Sequence, residues 1–381
     1  MSPVTRKLLR RLPLLGAVGL LLAGCASKDT KQDIFHPKGQ QSTAINDLQV
    51  PVFIAAGVVG VLVFAAIFYV IVTGKRRARE DDGEPTQIHG NFKAEITWTI
   101  IPALILVAVA FPTVKTLLDI DTVHKDSMTI DVYGQQWWWS YEYHMTGDES
   151  KPADIITANE LVLPVDTNIN LRVQSRDVIH SFWIPALNGT RDAVPGRVQP
   201  LQMHPNVIGK YDGQCKEFCG LSHANMRAKA VVLSQADFDA WAKANEQDAA
   251  TPAPGTDAAA GLDIFKTKCS SCHQINGVNH VEDAKGLVSG AAPNLTHLMN
   301  RTVFASAQYQ LWLPNADGKL EFNRNQLEAW LRDPSAMLPM APAEGRGMPN
   351  LGLTESEIDK LVSYLQTLGP IPPNAIPPAG S

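Results

Sequence analysis

The segment Cys215-Lys-Glu-Phe-Cys219-Gly-Leu-Ser-His223-Ala-Asn-Met226 places two thiols, an imidazole and a thioether within twelve residues. Thiolate and thioether sulfur are soft donors that select copper, and four such groups converge only if this short loop wraps a metal. A disulfide between Cys215 and Cys219 is open to this spacing but leaves His223 and Met226 unexplained. Zinc would take the thiols and the imidazole yet has no use for Met226. A mononuclear blue-copper site needs one cysteine only. Two cysteines four apart suit a pair of coppers bridged by two thiolates, each capped by one histidine, and the second histidine must then come from elsewhere.

A second cluster, Cys269-Ser-Ser-Cys272-His273, is the C-x-x-C-H pattern of covalent c-type haem attachment. The two thiols add to the haem vinyls and the adjacent His supplies the proximal iron ligand. The rival is a redox-active cysteine pair with an incidental His, but that alternative expects a βαβ setting and the surrounding signals are helical. A sixth ligand would be a downstream Met, for which Met337, Met340 and Met348 are the candidates. A Met ligand raises the haem potential.

The elements that must position these groups begin with a membrane anchor. Four basic residues, Arg6, Lys7, Arg10 and Arg11, precede a short apolar run ending in Leu22-Ala23-Gly24-Cys25. That order reads as a signal peptide over residues 1–24. Pro51 to Thr73 carries no charge and is longer than the roughly 30 Å hydrocarbon core when helical. Lys75, Arg76, Arg77 and Arg79 follow it, a cytoplasmic cluster by the positive-inside rule. A second apolar stretch over about 96–118 completes a hairpin within residues 45–119. Trp98 lies near its cytoplasmic interface, and everything beyond about residue 119 lies outside the cytoplasm. Glu95 opens this second span, where a carboxylate favours the helix dipole or snorkels.

Residues 120–242 carry short branched runs at Met128–Tyr133, Leu161–Val165, Ile169–Val173 and Ala228–Leu233, the pattern of a β-sandwich or barrel. Residues 243–260 are small and Pro-rich and read as a flexible linker. Residues 261–369 read as a small α domain, its last helix marked by a Thr354/Glu357 capping box with Leu353 and Ile358 as a staple. The Pro-rich tail 370–381 reads as disordered. With 381 residues and a net charge of -5, the chain is several domains long and lacks the basic surplus of a nucleic-acid binder.

The spacing Cys-x-x-x-Cys-x-x-x-His-x-x-Met resembles the binuclear CuA motif of cytochrome c oxidase subunit II, and Asp177-Val-Ile-His180-Ser-Phe resembles the segment carrying that family's distal histidine. The likeness extends through Pro195-Gly-Arg197, Gly134-Gln-Gln-Trp-Trp-Trp-Ser-Tyr-Glu-Tyr143 and Glu95-Ile-Thr-Trp-Thr-Ile-Ile-Pro102. It departs in having Trp138 where Tyr is frequent. The resemblance implies a cupredoxin-type β-sandwich. In it Cys215 and Cys219 bridge the coppers, His180 and His223 are terminal ligands, and Met226 and the Glu217 carbonyl are weak ones. It implies that the Glu217 carboxylate reaches a Mg or Mn ion at the subunit I interface. Trp137 is implied as the aromatic through which electrons enter, against the alternative that all three Trp rings only pack. Glu95 is implied as the mouth of a proton path. Leu22 to Cys25 resembles a bacterial lipobox, which implies lipidation of Cys25.

Residues from Gly261 to Leu368 resemble a class I cytochrome c, and the segment at Met348 looks most like that family's Met-Pro ligand, with Met340 second. The whole chain is thus similar to a bacterial oxidase subunit II with a fused cytochrome c. Implied partners are subunit I, subunit III, and a donor that is cytochrome c or a quinol-oxidising complex. The implied place is the bacterial cytoplasmic membrane, with both redox domains on its outer, periplasmic or extracellular, face. Subunit I would reduce oxygen to water with proton pumping. Alternative readings are the electron-input subunit of a nitric oxide reductase and a membrane-tethered electron carrier.

Overall fold

The computed structural model describes residues 31–80, 90–279 and 291–369. The signal segment 1–24, Cys25 and the tail 370–381 lie outside the described residues, as do the side chains of the basic cluster at 75–80.

Two long helices come first, α1 (Gln40–Glu80) and α2 (Phe92–Asp121). Both are long and apolar enough to cross a membrane. They outrun the spans expected from the apolar runs, because nothing in the polar flanks breaks the hydrogen-bond ladder at the end of the hydrocarbon-length segment. Pro102 and Pro112 are accommodated inside α2. The start of α2 is closed reciprocally: Asn91 Oδ1 accepts from the Ala94 N–H at 3.2 Å, and Glu95 Oε1 accepts from the Asn91 N–H at 3.2 Å. Large apolar side chains along both helices, such as Phe64 and Leu106, face outward.

The helical pair is pinned to a β domain. Ser42 Oγ donates to Ala186 O at 2.7 Å, and Gln41 Oε1 accepts from the His204 N–H at 2.9 Å. The domain's strands are β1 (Met128–Gln135), β2 (Trp138–Tyr143), β3 (Ile155–Ala158), β4 (Glu160–Pro164), β5 (Ile169–Ser175), β6 (His180–Trp183), β7 (Thr190–Ala193), β8 (Gln199–Met203), β9 (Gly209–Gln214) and β10 (Arg227–Leu233). One sheet runs β3-β2-β1-β5-β8 and a second runs β4-β10-β9, while β6 and β7 form a short hairpin. The alternating burial of β5 shows one face turned inward. Ile130, Trp139, Leu171 and Phe182 join Leu163 and Val231 in one core between the sheets.

Beyond β10, α3 (Gln235–Asn245) is capped by Ser234. The haem-motif domain follows with α4 (Asp257–Lys268), hairpins β11 (Val303–Phe304)/β12 (Tyr309–Gln310) and β13 (Trp312–Pro314)/β14 (Leu320–Phe322), α5 (Arg324–Arg332), α6 (Pro334–Met337) and α7 (Glu355–Leu365). Helices α4 and α7 cross closely at Gly261, where a Cβ would lie 2.1 Å from Lys360 O. Phe265 and Tyr364 fill the contact around it. The capping box at Thr354 and Glu357 is formed as expected.

The stretch expected as a flexible linker over 243–260 is helical at both ends. Thr256 caps α4 by accepting from the Ala259 N–H at 3.2 Å, and the run of alanines after Asp257 then has the strongest helix propensity of any residue. Only 246–256 lies outside helices. Within it the Ala249 N–H donates to Asn276 O at 3.0 Å, tying the strand of chain to the haem-motif domain.

Candidate metal centre and haem site

The loop Cys215 to Met226 joins β9 to β10, and the cross-strand pair Gln214 with Arg227 closes its mouth. Inside it the Cys215 and Cys219 sulfurs stand 3.8 Å apart as free thiols. This excludes the disulfide reading, which requires about 2.05 Å. Each thiol has its own imidazole: Cys215 Sγ lies 4.0 Å from His180 Nδ1, and Cys219 Sγ lies 3.5 Å from His223 Nδ1. Met226 Sδ stands 3.8 Å from Cys219 Sγ, and Glu217 O stands 3.2 Å from Cys215 Sγ. All six expected donors are therefore brought together. His180, Cys215 and Cys219 are buried with their ligand atoms within 4.8 Å of one another.

His180 arrives from 35 residues upstream on β6. That strand runs beside the loop, where the Lys216 N–H donates to Ser181 O at 3.0 Å. Its Nε2 is held by Asp177 Oδ1 at 2.8 Å, which leaves Nδ1 turned toward the sulfurs. Burial opposes ionisation of Asp177, but hydrogen bonds from His180 and from the Gln136 and Val178 N–H groups hold its carboxyl below the usual range. Gly134 makes room for the ring, since a Cβ there would lie 2.8 Å from His180 Cδ2. The Trp139 ring packs edge-on against it at 5.9 Å.

A hydrogen bond from Cys219, aided by His180, lowers Cys215 to about 4. Cys219 is pushed far upward by its contact with Cys215 and by burial. Both can be thiolates only beside a cation, and this soft, convergent donor set fits copper.

Trp137 sits on the loop, its Nε1–H donating to Cys219 O at 3.0 Å. Gln136 Nε2 donates to the same carbonyl at 2.6 Å. Gly220 permits this approach: its φ is +110°, and a Cβ would meet Gln136 Nε2 at 2.8 Å. On the outer face of the loop Glu217, Phe218 and Leu221 are exposed. Glu95 lies elsewhere, at the start of α2, where its carboxylate caps the helix.

At the second site Cys269 is buried and Cys272 exposed. His273 Nδ1 lies 2.8 Å from Pro293 O, so that nitrogen carries the proton and Nε2 keeps its lone pair for iron. Burial lowers the His273 pKa, favouring the neutral ring a ligand requires. The three methionines separate by neighbourhood. Met348 packs against the core of the haem-motif domain, whereas Met340 packs against the core of the β domain. Met337 sits at the end of α6, its carbonyl accepting from Tyr309 Oη at 2.7 Å.

Sequence reasoning named the copper donors but not the residues that brace them. Asp177, Gln136, Gly134 and Gly220 carry no local signal of these roles, which depend on tertiary proximity.

The order of family matches follows the architecture. Residues 32–116 match the transmembrane domain of cytochrome c oxidase subunit II. Residues 128–234 match its periplasmic domain, and residues 258–369 match cytochrome c. Over 367 residues the chain is 32% identical to cytochrome c oxidase subunit 2 of Alkalihalophilus pseudofirmus, covering 94% of this chain and 96% of that one. The chain belongs to the cytochrome c oxidase subunit II family.

The corresponding Bacillus subtilis protein is 31% identical, with 94% of this chain and 97% of that one aligned. Among solved structures, the periplasmic domain of subunit II of cytochrome oxidase from Bradyrhizobium japonicum is 32% identical, covering 33% of this chain and 97% of that one, with a TM-score of 0.30. The chain is thus subunit II of a cytochrome c oxidase, carrying a fused c-type domain and associating with subunit I. Its two apolar helices anchor a periplasmic domain. Copper and haem c are the cofactors these domains imply. The nitric oxide reductase reading is not favoured by the relatives, which are oxidase subunits.

Proposed function

We propose that Cys215 and Cys219 bridge a binuclear CuA centre, with His180 and His223 as terminal ligands and Met226 and the Glu217 carbonyl as weak ones. Cys269 and Cys272 anchor haem c, with His273 and Met348 as its axial ligands. Bound in these places, the groups supply one-electron carriers between an external donor and subunit I. The carrying observation is the pairing of each thiol with its own imidazole, at 4.0 and 3.5 Å, around two sulfurs only 3.8 Å apart. A single tetrahedral metal could take the two thiols and two imidazoles, but it would leave Met226 Sδ and Glu217 O, which stand on the same sulfurs, without a role.

The chain's own groups do the positioning. Asp177 orients the His180 ring, Gln136 and Trp137 fix the Cys219 carbonyl, and Pro293 sets the His273 tautomer. Trp137, hydrogen-bonded to the copper loop, is the aromatic through which electrons reach it. The exposed Phe218 and Leu221 beside Glu217 offer subunit I an apolar face next to the loop, and the Glu217 carboxylate reaches a Mg or Mn ion at that interface. Glu95, at the cytoplasmic end of α2, opens a proton path into subunit I. Subunit III completes the complex, the donor is cytochrome c or a quinol-oxidising complex, and the membrane is the bacterial cytoplasmic one. Cys25 carries the lipid anchor.

The test is purification of the complex through a tag on this chain. Non-covalent haem should accompany it, and oxygen uptake driven by the donor should vanish when either cysteine pair is replaced. A chain that purifies with no such haem and reduces no oxygen would leave only a tethered carrier.

A further inference from the structure

Two charges are buried where the haem-motif domain meets the β domain, and each has a hydrogen-bond partner on the other side. Arg301, 5% exposed, directs Nε–H to Thr157 Oγ1 of β3 at 3.1 Å and Nη2 to Asn294 O at 2.5 Å. Glu160 of β4, 3% exposed, accepts at Oε2 from the Thr302 N–H at 3.0 Å and from the Thr302 hydroxyl at 2.5 Å. The two charged groups do not touch. They are tied through neighbouring residues, so one domain cannot slide on the other without stranding a charge. Buried charges are weak sources of net affinity but good determinants of register, because removing one partner leaves the other uncompensated.

Four further contacts lie on the copper side. Ser306 accepts from the Arg227 N–H at 3.1 Å and donates its hydroxyl to Trp137 O. Gln308 Nε2 donates to Asn225 O at 2.7 Å. Arg346, two residues before Met348, approaches Asp177 at 3.6 Å, the carboxylate that orients His180. Ala305, Ser306 and Ala307 hold this position with φ of 47°, 59° and 56°. Three consecutive non-glycine residues in the left-handed region persist only where their surroundings over-determine them.

We infer that Arg301 and Glu160 form an interdomain latch that fixes the fused haem domain in one register over Trp137 and the copper loop. They are positioning residues. The segment 246–256 is then a strap between two docked bodies rather than a tether for a diffusing one. With the domain seated, Trp137 is 5% exposed, so a soluble donor has no access to it and must deliver its electron to the haem domain. With haem held by Cys269, Cys272 and His273 and copper held by the loop, this register would let a single electron pass between them, with no proton or co-reactant needed. The inference rests on the copper and haem reading above for its consequence, but the latch itself is a property of the chain.

The experiment is hydrogen exchange on the intact purified complex, following the peptides that contain Arg227 and Thr302, whose N–H groups bond across the interface. In the parent both are protected. Glu160→Ala and Arg301→Ala should raise their exchange about tenfold, and Arg301→Lys, which keeps the charge, should raise it less. Thr302→Val, which deletes one hydroxyl, should move exchange in the same direction. Haem-to-copper electron transfer should be independent of solvent viscosity in the parent and slow with viscosity in the alanine variants. Freely exchanging peptides in the parent, or parental protection in alanine variants with intact haem and copper spectra, would overturn the latch. A parent complex lacking copper or covalent haem would count instead against the functional reading, since the exchange readout does not depend on either.

Discussion

The copper loop and the haem site each use two cysteines and a histidine, yet the chain prepares them by different means. At the copper loop every donor stands on or between strands of the β domain, and hydrogen bonds from Asp177, Gln136 and Trp137 brace the ligands from behind. At the haem site the cysteines and His273 follow one another at the end of α4, and the described brace on the ring is a single bond to Pro293. The difference follows from the bonds each group makes. A haem held by two thioethers is fixed covalently, so local spacing suffices and the rest of the domain packs around it. A metal held only by coordinate bonds gains affinity from donors that are already converged and oriented.

The largest effect should come from deleting a thiol at the copper loop alone. Cys215→Ser should abolish copper binding and cut electron delivery to subunit I at least ~100-fold, because a hydroxyl is no soft anionic donor, while leaving the haem c absorption unchanged. Loss of the haem spectrum as well would show that the two sites are not independently built. Next in size is the choice of sixth iron ligand. Met348→Ala should lower the haem potential and change its absorption. Met340→Ala should leave both alone and cost at most about 2 kcal/mol of β-domain stability, below the range for a fully buried Met. Redox titration of the two variants distinguishes them.

Asp177→Asn tests the brace on His180. It should weaken copper binding by about 10- to 100-fold without removing a ligand, as read by competition with a chelator. An unchanged affinity would mean that the β scaffold alone orients His180. The smallest effect concerns pH. Burial, with the Arg301 charge beside it, lowers His297 to about 4. Between its unfolded value near 6.5 and about 4, the unfolded chain binds a proton that the folded chain refuses. Stability therefore falls as pH drops through that window and levels off below it. His297→Gln should flatten this dependence, by about 5 °C in the thermal midpoint of the haem domain at pH 5, measured by scanning calorimetry.

Legibility in the sequence follows the range of the interaction. Cys215, Cys219, His223 and Met226 lie within one loop, and the haem thiols with His273 lie within five residues, so spacing alone exposes their chemistry. His180 is a strand away and became visible only through family resemblance. Its partner Asp177, and the glycines Gly134 and Gly220, answer to tertiary proximity that no local pattern encodes. The membrane helices were legible from their apolar runs but not their ends, since helix continues into polar flanks. The hairpins β11/β12 and β13/β14 have strands of two or three residues, too short to show a period of two. Glu160 and Arg301 read as ordinary charges until the fold brings each to the opposite domain.

If the duplicated thiol and imidazole set holds two coppers beside one covalent haem, the metal and haem contents of the complex are fixed. Copper and haem c should therefore be counted in the purified complex, and the unpaired electron of the oxidised copper site examined by paramagnetic resonance, with Cys215→Ser as the blank for copper held by other subunits. The expected result is two Cys215-dependent coppers per haem c and one electron shared equally by both nuclei. A single copper, or zinc in its place, would contradict it.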